Sequence, residues 1–342
     1  RQLDLELVAR AAERMELARQ VGEFKRQQGL STVDYAQERV VLDRARATAE
    51  QYQLDPGVAE DLFAGLIRAS VTVQDKDNQR FAALGAGKRA VVVGGAGRMG
   101  QWLIRFLTDQ GYEAGSLDPA TALDERGWAH DALPSADLVI CSAPPAATAE
   151  LYAQWTSAPP AGVVADIASI KTPLIEPIRA LQHAGARVAS FHPMFGPSAV
   201  LLRDCDVVIC DTGDAEATGT IEKLFQSTTV HVVHLPLAEH DRIMADVLSL
   251  AHATAIAFAL ALPDTKHVVR STTLHALETL AANIVRESPD VYYEIQALNP
   301  YSMAALQRMR GALDRVVDAI ASRNAEGFRA LLHEGRTRTP GT

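Results

Sequence analysis

The sequence predicts a multidomain protein in the order all-α, α/β, all-α, and three observations carry that prediction. Residues 1–83 hold no strand pattern, and Leu3, Leu7, Val8, Ala11, Met15, Ala18 and Val21 recur at three- and four-residue spacing. Ala90 to Asp118 reads as strand, glycine-rich turn, helix and second strand. From about Leu235 the helical spacing returns and continues to the end. The expected domains are therefore 1–84, 85–234 and 235–342. A chain of 342 residues exceeds the size at which one core stops growing.

The first helix is expected to run to about Gln28 and to stop at Gly29. A second should span Asp34 to Tyr52, and a third Pro56 to Phe81. Three helices of such unequal length do not readily bury their apolar faces alone, so pairing with a second copy is expected. The first helix begins at residue 1 without a capping residue, which places its expected start before Arg1. The segment LGAGK, 84–88, reads as a linker.

The linker leads into AVVVGGAGRMGQWLIRFL, 90–107. Ala90 to Val93 is an apolar, β-branched run that suits a strand buried on both faces. Gly95, Gly97 and Gly100, with Ala96, Arg98 and Met99 between them, follow the spacing G-x-G-x-x-G. In a Rossmann-type unit the first glycine allows a tight turn, the second lets backbone touch a pyrophosphate, and the third lets helix and strand approach. The phosphates then lie on the helix N-terminus. The second strand should end near Leu117, so Asp118 falls about 20 residues beyond the glycines, where a carboxylate bonds the ribose hydroxyls. It would repel a 2′-phosphate, and NAD is expected over NADP by at least roughly tenfold.

Further strands are expected at about 137–141 and 162–166. Ligands of open α/β sheets bind outside the carboxyl ends of strands, so Ser142, Ser169 and Lys171 should face the cofactor side. A third strand end is FHPMFGP, 191–197, which places His192 beside the nicotinamide. A neutral histidine there can act as a general base, and activity should fall where it is protonated.

The net charge of −9, without a basic stripe, argues against nucleic acid as a partner. The N-terminus is unlike a signal peptide, and no uninterrupted apolar run reaches the ~18 residues of a membrane span. The Ala- and Leu-rich stretch 243–262 is interrupted by Asp246 and His252 and reads as a buried interface helix. A cytoplasmic protein is expected. Cys141, Cys205 and Cys210 lack metal-ligand spacing and read as free thiols; no metal is expected.

The run AERMELARQVGEFK, 12–25, with QER at 37–39 and RASVTVQ at 68–74, resembles the all-helical chorismate mutase family. That resemblance implies an intertwined dimer that rearranges chorismate to prephenate, with Arg14, Lys25, Asp34, Glu38, Ser70 and Gln74 at matching positions. The rearrangement forms no covalent intermediate, so its site must hold a folded dianion and stabilise charge on the ether oxygen. Arg14 would clamp a carboxylate, Lys25 and Gln74 would donate to the ether oxygen, and Asp34 or Glu38 would take the ring hydroxyl. Gln37 stands where the family has an arginine, and the arginine contributed by a partner subunit would lie before residue 1.

GGAGRMG, CSAP, DIASIK and HPMFGP together resemble the prephenate dehydrogenase family, and the whole chain resembles bifunctional chorismate mutase/prephenate dehydrogenases, the T-protein family. The resemblance implies NAD-dependent oxidative decarboxylation of prephenate to 4-hydroxyphenylpyruvate, as in tyrosine biosynthesis, by a homodimer. His192 would take the C4 hydroxyl proton as hydride leaves to NAD, and Ser142 would orient both partners. EHDRIMA, 239–245, and His252 resemble the start of the dimerisation domain. His252 is either a core residue or a substrate contact, and His240 reads as structural. The family arginine that pairs with a substrate carboxylate is replaced by Asn283, with His275 at a neighbouring arginine position; Arg270 and Arg286 are the candidate substitutes.

Because both departures remove arginines, a second substrate class is expected to compete: 4-amino-4-deoxychorismate and 4-amino-4-deoxyprephenate, giving 4-aminophenylpyruvate. Their cationic amine disfavours a neighbouring arginine. A third reading keeps only the dehydrogenase, with the helical domain as a dimerisation or regulatory module.

Overall fold

The computed structural model describes residues 1–120, 130–199, 202–263, 269, 271–285 and 288–339. Arg270 and Arg286 lie outside the described residues. Packing divides the chain into two compact units, one of residues 1–168 and 174–237, the other of residues 169–173 and 238–342.

The first unit begins with helices α1 (Gln2–Gln27), α2 (Tyr35–Gln51) and α3 (Pro56–Ala82). Asp34 caps α2 by accepting from the Gln37 N–H, and Asp55 caps α3 ahead of Pro56. Helix α3 packs against both others. The trio's own core is thin, with Ala45, Ala49 and Ala59 beneath Phe63, and Leu3, Leu5, Leu7 and Val8 of α1 stay exposed.

The trio and the sheet behind it are one unit. Arg80 of α3 reaches Asp109, Asp75 of α3 accepts from Thr229, and Glu38 of α2 meets Arg203. The sheet comprises β1 (Arg89–Val93), β2 (Glu113–Leu117), β3 (Leu138–Cys141), β4 (Val163–Asp166), β5 (Arg187–Pro193), β6 (Asp206–Asp211) and β7 (His231–Pro236). Their spatial order is β2-β1-β3-β4-β5-β6-β7; β1 to β5 pair in parallel, β6 runs antiparallel to β5, and β7 parallels β6. Helices α4 (Arg98–Asp109), α5 (Pro145–Trp155), α6 (Ile175–His183) and α7 (Ala215–Gln226) flank it. Strands β3 and β4 are buried throughout, as their unbroken apolar runs require of a sheet covered on both faces. On one face Trp102, Phe106, Phe191 and Phe225 form a chain of ring contacts; on the other Tyr152, Leu174, Ile178 and Leu181 fill the core. The sheet order reverses at β1, so the ligand crevice belongs outside the carboxyl ends of β1 and β3.

The second unit holds α8 (Leu237–Met244), a π-helical stretch (Ala245–Leu250) and α9 (Ala251–Ala261), followed by α10 (Thr272–Val285), α11 (Pro289–Ala297), α12 (Ser302–Ala321) and α13 (Ala325–Arg338). The chain turns helical after Pro236, slightly later than expected. The π-helical stretch alters the hydrogen-bond ladder, and Gln296 donates to the Ser249 carbonyl there. One sequence expectation needs correction. Leu237–Ala261 is a 25-residue helix that contains an 18-residue stretch apolar enough by length and composition alone to cross a membrane, despite Asp246 and His252. Two of its polar groups are nonetheless engaged inside the protein: Asp241 accepts from the N–H groups of Lys171 and Thr172, and His240 is fully buried against Asp241.

Candidate active sites

The glycine turn sits where β1 ends. Gly94, the residue before the expected motif, adopts φ +78°, so the tight turn belongs to Gly94 rather than to Gly95. A Cβ on Gly94 would stand 2.9 Å from the Ser142 carbonyl, and one on Gly95 would stand 2.4 Å from Ser116 Oγ. Gly100 is the tightest of the three, with its hypothetical Cβ 2.3 Å from the Gly94 carbonyl oxygen. The turn, strand and helix start thus interlock through missing side chains. Gly97 is the N-cap of α4 and offers no side-chain cap, so the first N–H groups of α4, from Arg98, Met99 and Gly100 onward, open a helix start suited to an anion.

Asp118 lies at the end of β2 and partly buried. Its carboxylate accepts from the Ala96 N–H at 3.3 Å and the Ala120 N–H at 2.9 Å, which holds it over the glycine turn. Ser142 follows β3 on the same edge, with its N–H donating to the Val93 carbonyl. His192 is the penultimate residue of β5, paired opposite Val208, and is buried in the strand rather than free beyond its end. These residues fit a dinucleotide: a cradle that any Cβ would fill, an uncapped helix start and a carboxylate fixed above it. Ser169 and Lys171 belong to the second unit, where Lys171 is fully buried.

A second site lies in the helical trio. Arg14, Lys25, Asp34, Glu38, Ser70 and Gln74, drawn from all three helices and the turn before α2, line one cavity of about 250 Å³. Apolar Leu17, Val21, Val41, Ile67 and Val71 complete its wall. Lys25 Nζ donates to the Thr32 carbonyl at 2.8 Å, and Gln74 Nε2 to the Ala18 carbonyl at 2.9 Å. Arg14 stands 5.9 Å from the Phe63 ring centroid, and its Nε is buried without a hydrogen-bond partner among the described residues. Two carboxylates of the cavity are already occupied. Asp34 caps α2, and Glu38 forms a two-point ion pair with Arg203 at 2.7 and 2.8 Å, so neither is the unengaged acceptor the sequence suggests. Arg203 carries no local signal, since its partner lies 165 residues away.

In the second unit His252 is half-buried and meets the Tyr292 ring edge-on at 4.6 Å; burial lowers its pKa, so it is neutral near pH 7. His275 and Asn283 lie on α10, both exposed. Asp241 is buried, which raises its pKa, but hydrogen bonds from His240, Thr172 and Lys171 outweigh burial and hold it below the usual carboxylate value.

A doubly wound sheet with a glycine cradle, joined to a helical cavity lined by Arg14, Lys25, Asp34 and Glu38, defines a dinucleotide-binding protein with a second polar site. Three family models match in order: chorismate mutase type II over residues 1–75, the prephenate dehydrogenase nucleotide-binding domain over 108–234, and the prephenate dehydrogenase dimerization domain over 236–334. The chain belongs to the prephenate dehydrogenase family and carries a chorismate mutase type II domain ahead of it. It is 29% identical to the T-protein of Enterobacter agglomerans over 316 residues, 90% of this chain and 82% of the relative. It is 30% identical to the 4-amino-4-deoxyprephenate dehydrogenase of Streptomyces pristinaespiralis over 268 residues, 72% of this chain and 90% of that one. Among solved structures, prephenate dehydrogenase from A. aeolicus in complex with hydroxyphenyl propionate and NAD+ shares the fold, with a TM-score of 0.59 at 17% identity over 73% of this chain and 96% of that chain.

Proposed function

We propose that the helical cavity rearranges chorismate to prephenate and that the sheet domain oxidises and decarboxylates prephenate with NAD. The observation that carries the first half is the convergence of Arg14, Lys25, Asp34, Glu38, Ser70 and Gln74 on one cavity. A degenerate helical module has no need to keep six such side chains together. In this reading Arg14 clamps a substrate carboxylate, while Lys25 and Gln74 face the ether oxygen on which charge grows. Ser70 and the carboxylates hold the ring.

In the second site the glycine turn holds the pyrophosphate against the α4 N-terminus, and Asp118 takes the ribose hydroxyls. NAD, when bound, accepts the hydride from the carbon that carries the substrate hydroxyl. His192 takes the hydroxyl proton, and Ser142 beside the glycine turn orients the reactants. Loss of carbon dioxide then makes the ring aromatic. His252, His275 and Asn283 are the candidates for contact with substrate in the second unit. The working protein is a homodimer: the third family match is a dimerization domain, and Leu260, Leu280, Val285, Met303, Val317 and Ile320 are exposed in the single chain.

A second substrate reading rests on the Streptomyces relative and on Asn283, which bears no charge to oppose an ammonium group. NADH formation measured with prephenate and with 4-amino-4-deoxyprephenate at matched concentrations decides between them. The expected outcome is a higher kcat/KM for prephenate; the reverse order assigns the amino compound. Chorismate consumption without NAD tests the mutase half, and its absence would remove that half.

A further inference from the structure

The Glu38–Arg203 pair joins the helical cavity to a segment far away in sequence. Glu38 lines the cavity from the first turn of α2. Arg203 lies between β5 and β6, on the segment that follows His192, and is anchored there by its neighbour Leu202, which is buried in the core of the sheet domain. The two guanidinium contacts are 2.7 and 2.8 Å, with both side chains largely covered at 12% and 19% exposure. Arg203 also lies 5.0 Å from the ring centroid of Tyr35, so both a stacked ring and a two-point pair fix its plane. Two-point pairs recur at Arg46–Glu60 and Arg315–Glu334, but those side chains are 34–55% exposed, so the Glu38–Arg203 pair is set apart by its burial.

Charge gives the pair its meaning. The cavity lining contributes Arg14 and Lys25 against Asp34 and Glu38, which sum to zero. A site for a substrate with two carboxylates needs a positive balance, and an uncompensated Glu38 would repel it. Pairing with Arg203 brings the group to +1; Asp204, 3.9 Å from the same guanidinium, is 77% exposed and its charge is largely screened by water. The pairing does so without closing Glu38, because a carboxylate has about four acceptor positions and a two-point guanidinium takes two. The remaining positions stay open to a substrate hydroxyl.

We propose that Arg203, a residue of the dinucleotide-binding domain, is a positioning residue of the helical active site: it fixes and neutralises Glu38 and thereby completes the site for a dicarboxylate. Resting on the mutase reading above, this makes the first reaction depend on a side chain of the domain that carries out the second. Arg203 supplies from the sheet domain a positive charge that α2, with Gln37 before Glu38, does not provide.

The test uses the full chain. R203Q should lower the kcat/KM of chorismate rearrangement by roughly ten- to hundredfold, with a raised KM, as expected for a charged hydrogen bond. NADH formation from prephenate should stay within about twofold of the unaltered chain. R203K, which keeps the charge but only one contact and no stacked plane, should recover part of the loss. In an E38Q background the added R203Q change should cost nothing more, because Arg203 acts through Glu38. Equal mutase kinetics in R203Q and the unaltered chain would overturn the proposal, as would a further loss in the double variant. Loss of both activities and of thermal stability in R203Q, unrepaired by R203K, would make the pair a mere strut and also overturn it. Calorimetric titration with chorismate separates the two levels of inference. Binding that weakens in R203Q while the unaltered chain shows no turnover would sink the mutase reading and leave Arg203 in its role; binding equal in both would remove that role.

Discussion

His192 is the penultimate residue of a strand that carries it to the ligand edge of the sheet, and it is buried there. His192→Asn should reduce NADH formation by roughly 10² to 10⁴ while leaving NAD affinity unchanged. A variant that keeps more than a tenth of the turnover would take His192 out of the mechanism. Gly22 gives a prediction for the other site. Its hypothetical Cβ would lie 2.8 Å from Gln74 Cγ, so Gly22→Ala must displace Gln74 from the cavity wall. Alanine also favours the helix by about 1 kcal/mol over glycine. Mutase turnover should therefore fall at least roughly tenfold while the melting temperature changes little, a split that simple unfolding would not produce. Single residues differ in how far they are legible. The mutase six are visible through the resemblance of their segments to the chorismate mutase family, and Gly94 is visible as half of a glycine doublet, though only the backbone shows that it takes the positive φ. Arg203 is not visible, because its role is created by a contact across 165 residues.

At the scale of elements, the β1 turn and α4 act as one piece. Gly100→Ala would force a Cβ to within 2.3 Å of the Gly94 carbonyl oxygen, a backbone atom that can yield only if the turn moves. Gly97→Ala meets the same atom at 3.3 Å and requires much less. Titrated with NADH by fluorescence, Gly100→Ala should bind at least tenfold more weakly than the unaltered chain, and Gly97→Ala should lose less; equal affinities would show that the turn does not cradle the ligand. The strand–turn–helix order, the β2 end at Leu117 and the three N-terminal helices were all legible, since each rests on local periodicity, capping and glycine chemistry. Strands β6 and β7 are not among the expected strands. Apolar VVIC between Asp206 and Asp211 suits a strand, but its antiparallel course depends on pairing with β5. In β7 only part of the strand is covered, and two histidines break the apolar run. The apolar helix Leu237–Ala261 shows the opposite limit: length and hydropathy allow a membrane span, and only the buried His240–Asp241 pair and its partners identify an element of a folded helical unit.

Across the whole first unit, the helical trio and the sheet are joined at a carboxylate whose charge opposes the join. Asp75 of α3 accepts from both the N–H and the hydroxyl of Thr229, just before β7, while its second oxygen is buried without a hydrogen-bond partner among the described residues. Burial pushes its pKa up to about 6, against the two Thr229 hydrogen bonds that lower it. An unfolded aspartate titrates near 3.9, so the folded state binds the extra proton more tightly. The sign follows: this group's stabilising contribution is complete below about pH 4 and is lost as pH rises through about 6, and the loss amounts to at most about 3 kcal/mol at neutral pH. Asp75→Asn keeps an acceptor for Thr229 and removes the charge. It should therefore melt at a higher temperature than the unaltered chain at pH 7.5, with the two melting curves converging as pH falls to 4. The amide brings its own cost, an NH₂ group placed where the unpaired oxygen stood, which is the same at every pH and shifts the variant's whole curve without changing how the gap varies with pH. Melting temperatures of both proteins measured from pH 4 to 8 give the answer directly: a gap that widens between pH 4 and 6 assigns the raised pKa to Asp75, and parallel curves would show that the carboxylate ionises in the fold as it does in water.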